Sequence, residues 1–184
     1  MRYSHVIGFD DAPFEPGHRG DVPLIGAVYA GLRLEGVLCG RVRRDGANAT
    51  REIIRLVSRS RFRVQLILLQ GIAMAGFNVV DLRGLHRALG VPAVAVVRKA
   101  PDAAKVRSAL TTRVRGGARK WALIEQLGPV EPMRGVYVQR VGIAAGDAAT
   151  VLGRLALSGK VPEPLRTAHL VAGAMVLGES RHRV

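Results

Sequence analysis

Aromatic residues are scarce: one tryptophan, three tyrosines and four phenylalanines in 184 residues, too few for a platform on which single-stranded bases stack in succession. The single cysteine, Cys39, excludes an internal disulfide framework and a cysteine-based zinc cluster, and it fits a reducing, cytoplasmic setting. Of the five histidines, His5, His18, His86 and His182 show no pairing at zinc-ligand spacing. Long apolar runs are missing too. The longest uncharged stretch near the start, Val22 to Leu32, holds 11 residues and a proline, against the roughly 20 that a bilayer span needs. Asp10 and Asp11 follow the opening residues directly, which predicts no signal peptide and no membrane partner. No Gly-x-Ser-x-Gly elbow occurs, which disfavours a Ser-His-Asp hydrolase.

Acidic residues are also few. Fourteen Asp and Glu face 28 Lys and Arg, a formal charge of +14 that sets up an attractive field for polyanions. Only Lys99, Lys105, Lys120 and Lys160 are lysines, so arginine-rich codon usage is a second source of the same excess. Hydrophobic residues at 48% and charged residues at 23% give a globular balance, and the length suits one domain with a full core.

Hydrophobic patterning places short strands at His5 to Phe9, Val22 to Leu32 and Glu35 to Arg43, an antiparallel meander punctuated by Gly31 to Gly36. Asn48 is suited to cap an amphipathic helix from Ala49 to Ser60. Val64 to Leu69 reads as a central strand buried on both faces, followed by a glycine-rich turn, Gly71 to Gly76. A helix over Val79 to Leu89 and a strand at Ala93 to Val97 complete a β-α-β unit with parallel strands. Pro101 and Asp102 open a helix that Gly116-Gly117 breaks. A late strand at Val136 to Val141 precedes helices over Ala145 to Leu157 and Pro162 to Leu177. This α/β order is that of a ribonuclease H-like mixed sheet flanked by helices, and also of a generic three-layer α/β domain.

Three carboxylates fall at predicted strand or turn ends: Asp10, with Asp11 beside it, then Asp45 and Asp81. Ends of neighbouring strands converge, so such carboxylates can meet and hold a hard cation through oxygen. Asp45-Gly46 also has the form of a turn, and Asp81 stands where a helix dipole favours an acid. An acidic pair closing a buried strand is costly unless paired or metal-bound, which singles out Asp10. Gln70 ends the central strand and offers a neutral amide. Gly71 and Gly76 permit close approach of a phosphate, without the Lys-Ser or Lys-Thr of a P-loop. Arg98 and Lys99 end the next strand, where a cation can steady a phosphate or simply be solvated.

Three segments, Ile7-Gly8-Phe9-Asp10-Asp11-Ala12-Pro13-Phe14, Asp45-Gly46-Ala47-Asn48-Ala49-Thr50 and Leu69-Gln70-Gly71-Ile72-Ala73-Met74-Ala75-Gly76-Phe77-Asn78-Val79-Val80-Asp81, together resemble the archaeal endonuclease dU family. The closing Pro162-Glu163-Pro164-Leu165-Arg166-Thr167-Ala168-His169 segment fits as well. That family is similar to endonuclease V, a Mg²⁺-dependent nuclease that cuts near deaminated bases. The resemblance implies a single endonuclease V-like domain over residues 1–184. It implies Asp10, Asp45 and His169 around Mg²⁺ or Mn²⁺, with Gln70, Arg98 and Lys99 completing the catalytic set. Gly71, Gly76, Asn78, Arg98 and Lys99 are then expected against the nucleic acid, with Asp11 and Asp81 in support. DNA is the expected partner, with RNA the other candidate. Gln70 departs from the pattern, standing where endonuclease V has a second aspartate, and the tyrosine-proline wedge is absent between Arg41 and Thr50. A nucleic-acid-binding protein on a nuclease scaffold that has lost its catalysis is the alternative that Gln70 raises.

Overall fold

The computed structural model describes residues 2–180; His182 lies outside them. Strands β1 (His5–Asp11), β2 (Asp21–Ala30) and β3 (Arg33–Arg43) form the meander that the alternating Val, Leu and Tyr residues predict. Then follow α1 (Ala49–Arg59), β4 (Leu66–Gln70), a small hairpin of β5 (Ala73–Met74) and β6 (Asn78–Val79), α2 (Leu82–Leu89) and β7 (Ala93–Val97). The chain continues through α3 (Ala103–Arg113), α4 (Gly117–Glu125), β8 (Glu131–Met133), β9 (Val136–Val141), α5 (Ala145–Leu155) and α6 (Glu163–Leu177).

Seven strands make one mixed sheet in the order β3-β2-β1-β4-β7-β9-β8. β1, β4 and β7 run parallel at its centre, with antiparallel pairs on either side. Parallel neighbours must be buried on both faces, and each side of the centre has its own cluster. Ile7, Phe9, Ile67 and Leu69 pack with Ile53 of α1 and Leu85 of α2. Leu66, Leu68, Val94 and Val96 pack with Val151 and Leu155 of α5 and Leu165 of α6.

Two differences from the sequence reading matter for function. The second helix begins at Leu82 instead of Val79, because Asn78 and Val79 pair with Met74 and Ala73 in the hairpin. Asp81 then caps that helix, accepting from Gly84 N–H at 2.8 Å. Asn48 does not cap α1 with its side chain. Asn78, remote in sequence, does so: its Oδ1 accepts from Ala49 N–H at 3.0 Å.

Helix α6 lies directly on β1. A Cβ at Gly8 would stand 2.5 Å from the Pro164 carbonyl carbon, so only glycine admits this approach. From Leu165 to His169 a helix rises about 6 Å and from Gly8 to Asp10 a strand rises about 7 Å. The near-equal steps bring His169 over Asp10.

Candidate active site

At the carboxyl end of the parallel strands, His169 Nδ1 lies 2.8 Å from Asp10 Oδ2. The other oxygen of Asp10 accepts from Asp11 N–H at 2.9 Å. Asp10 is 6% exposed. Burial pushes its carboxyl above the ordinary value, against the pull of His169. Burial, and then the neighbouring Asp10 charge, push Asp11 up to about 7. The hydrogen bond to Asp10 holds His169 above its own ordinary value. In the parallel register Phe9 pairs with Leu69, and one step further sets Gln70 beside Asp10. Gln70 Oε1 is buried and accepts no hydrogen bond among the described residues.

Asp45 approaches from the meander side. Its backbone takes a left-handed conformation, φ 51°, and every polar group of the residue has a partner. Its N–H donates to Ala75 O at 2.9 Å, Oδ1 accepts from Phe77 N–H at 2.8 Å, and its carbonyl accepts from Lys120 Nζ at 2.6 Å. Gly76 makes this possible, since a Cβ there would lie 2.5 Å from Asp45 Oδ1. Ala75 N–H in turn reaches the Asp11 carboxylate. One residue of the β5–β6 hairpin therefore stands between Asp11 and Asp45, locking their relative position.

The remaining predicted residues divide by exposure. Asn78 is fully buried. Its Nδ2 donates to Arg43 O and to Asn48 Oδ1, both at 2.8 Å, so it pins the Asp45 turn and presents nothing to a nucleic acid. Asp81 is spent on its helix cap. Gly71, φ +86°, donates its N–H to Val96 O at 2.9 Å and turns the chain out of β4. Arg98 and Lys99 are exposed just beyond β7, whose Val96 pairs with Gln70, so they flank the same edge. Two clefts open beside the carboxylates. One, of about 310 Å³, is lined by Asp11, Phe14, His169 and Leu177. The other, of about 470 Å³, runs between Pro16–Gly20 and Arg43–Asp45.

Lys120, which carries no local sequence signal, is the residue that the sequence reading misses. The residue is 6% exposed, and burial lowers the affinity of its ammonium for the proton while the Asp45 charge opposes that shift.

Among the described residues no three His, Cys, Asp or Glu side chains gather as a ready metal site. The donor chemistry nonetheless suits a hard divalent cation. Two desolvated carboxylates side by side are raised by burial, and an orphaned amide oxygen stands next to them.

The sequence model of the family described as Endonuclease dU matches residues 2–176. The chain belongs to the endonuclease dU family. A UPF0215 protein of Deinococcus radiodurans is 56% identical over 97% of this chain and 92% of its own length. A UPF0215 protein of Methanothermobacter thermautotrophicus is 42% identical over 96% and 89%. The first is bacterial, so sequences like those of the endonuclease dU family are not confined to archaea. A crystal structure of an Archaeoglobus fulgidus protein of unknown function superposes with a TM-score of 0.86 at 31% identity, covering 93% of this chain and 97% of that one. Endonuclease V of Ciona intestinalis, solved with a 24mer DNA containing an inosine followed by a ribo-adenosine, superposes with a TM-score of 0.61 at 11% identity, covering 95% and 87%. The endonuclease dU fold is thus the ribonuclease H-like fold of endonuclease V. No helix among the described residues is long and apolar enough to cross a membrane.

Proposed function

We propose that the chain is a metal-dependent endonuclease that hydrolyses a phosphodiester bond of DNA near a deaminated base, deoxyuridine or deoxyinosine. The observation that carries this reading is the desolvated Asp10, held by His169 at the carboxyl edge of the parallel strands with Asp11 and the orphaned Gln70 oxygen beside it. Membership of the endonuclease dU family supports a nuclease, and the basic excess supports a polyanionic substrate.

Asp10, with Gln70 Oε1 and His169 at hand, would hold Mg²⁺ or Mn²⁺, and Asp45 stands as the second acidic residue. A cation bound there supplies positive charge to the scissile phosphate and lowers the pKa of a water. The chain's own residues do the rest. His169 orients Asp10 and neutralises part of its charge. Arg98 and Lys99, on the rim, steady the phosphate. The clefts beside Asp11 and Asp45 give room for an extruded nucleotide, whose unstacking costs a few kcal/mol and least at a mispaired base.

The deciding experiment compares matched DNA duplexes, plain and carrying uracil or hypoxanthine, incubated with Mg²⁺ or Mn²⁺ and either wild type or Asp10→Ala. Lesion-dependent cutting that disappears in the variant is the expected result. Cutting by Asp10→Ala at the wild-type rate overturns the assignment of Asp10. Binding without cutting in either metal replaces the nuclease reading with that of a nucleic-acid-binding scaffold.

A further inference from the structure

Between β7 and β8 the chain leaves the sheet as a helical hairpin that is strongly basic. From Arg98 to Lys120 there are eight basic residues and one acid, Asp102. Helix α3 buries only Leu110 of its 11 residues. Its main support is α4, which comes so close that a Cβ on Gly117 would lie 1.8 Å from the Leu110 carbonyl oxygen. A helix this exposed, with no apolar stripe facing the core, is not explained by packing. Arg113, Arg115 and Arg119 are exposed, and no carboxylate pairs with them among the described residues.

This hairpin is also fixed to the candidate site at both ends. Its entry, Arg98-Lys99, follows the strand that pairs with β4 beside Gln70. Its second helix sets the Lys120 ammonium on the Asp45 carbonyl, 2.6 Å away and 75 residues distant in sequence. The charge of Arg113, Arg115 and Arg119, carried on an element anchored beside the candidate site, meets what a polyanionic duplex needs for register: contacts to its backbone that carry no sequence information. Trp121 is the one aromatic ring of the hairpin, and the Arg107 guanidinium lies over it at 6.0 Å. Stacked single-stranded bases therefore find no row of rings here.

We propose that the α3–α4 hairpin is an arm that grips the phosphate backbone of duplex DNA alongside the bond held at Asp10. The inference rests on the nuclease reading above and adds the surface that holds the duplex. The test measures binding of a labelled plain DNA duplex by fluorescence anisotropy, in EDTA to prevent cutting, over a range of salt concentrations. The proteins compared are wild type, a triple variant R113E/R115E/R119E, its milder counterpart R113Q/R115Q/R119Q, and Arg33→Glu at the opposite end of the sheet. The expected result is a loss of affinity of about tenfold or more in the Glu variant, a smaller loss in the Gln variant, and a fall of about 2 to 3 in the slope of log K against log salt. Arg33→Glu should bind as wild type. Far-UV circular dichroism and melting curves check that the exposed substitutions leave the fold intact. Wild-type affinity and slope in both triple variants overturn the arm and leave the nuclease reading standing, as does an equal loss in Arg33→Glu, which assigns the binding to diffuse charge. Failure of the wild-type protein to bind any duplex overturns the nucleic-acid reading itself and the arm with it.

Discussion

Asp11 has an ionisation balance that makes a clear prediction. Its folded pKa of about 7 stands above the ordinary 3.8, so the folded state holds the proton more tightly than the unfolded chain does. Stability from this group is fully present below about pH 4, is lost as pH rises to about 7, and falls no further beyond. His169, also raised, acts in the same direction: what it contributes is lost as pH rises through its folded value. Asp11→Asn keeps an acceptor for Ala75 N–H and removes the charge. In metal-free buffer its melting temperature should exceed that of wild type by a few degrees at about pH 8 and converge with it below about pH 4. Equal melting at pH 8 would show that Asp11 is not held above its ordinary value. Gln70 offers a second test. Gln70→Asp adds a charged oxygen where a neutral one stands, so Mn²⁺ should bind about tenfold or more tightly, read by titration calorimetry without any turnover. Unchanged affinity would remove Gln70 from the metal's surroundings.

Helix α6 lies on β1 with no room for a side chain at Gly8. Gly8→Ala forces a methyl against the Pro164 backbone and must lift the helix that carries His169. We expect a loss of about 1 to 3 kcal/mol in urea unfolding, accompanied by weaker Mn²⁺ binding as His169 leaves Asp10. Stability lost with metal affinity intact would separate the packing of α6 from the site. The elements also show how far a sequence can be read. The meander, the β-α-β unit and α6 follow from local pattern, because alternation and helical spacing record which face is buried. Asp10 was legible for a similar reason, as an acid where a buried strand closes. The hairpin of β5 and β6 was not, since its two-residue strands are too short to carry a period. Asn78 as a cap and Lys120 as a tether were not either. Each acts on a backbone group that only the folded chain brings near, and a lone polar residue looks the same whether it faces solvent or a distant carbonyl.

For the molecule as a whole, the charge of +14 predicts a strong dependence of DNA binding on salt. If six or more phosphates are neutralised, affinity should fall by about three orders of magnitude between about 50 and about 200 mM salt. A flat response would mean that the excess of arginine serves another purpose. Composition announced this field and left its placement open, because it counts charges without locating them. The fold adds a constraint of timing. Asp10 lies in β1 and its histidine in α6, 159 residues apart. During synthesis the strand emerges from the ribosome long before its partner exists. A chain released before α6 is made carries an acidic centre without its histidine, and whatever chemistry the pair performs waits until α6 has been added.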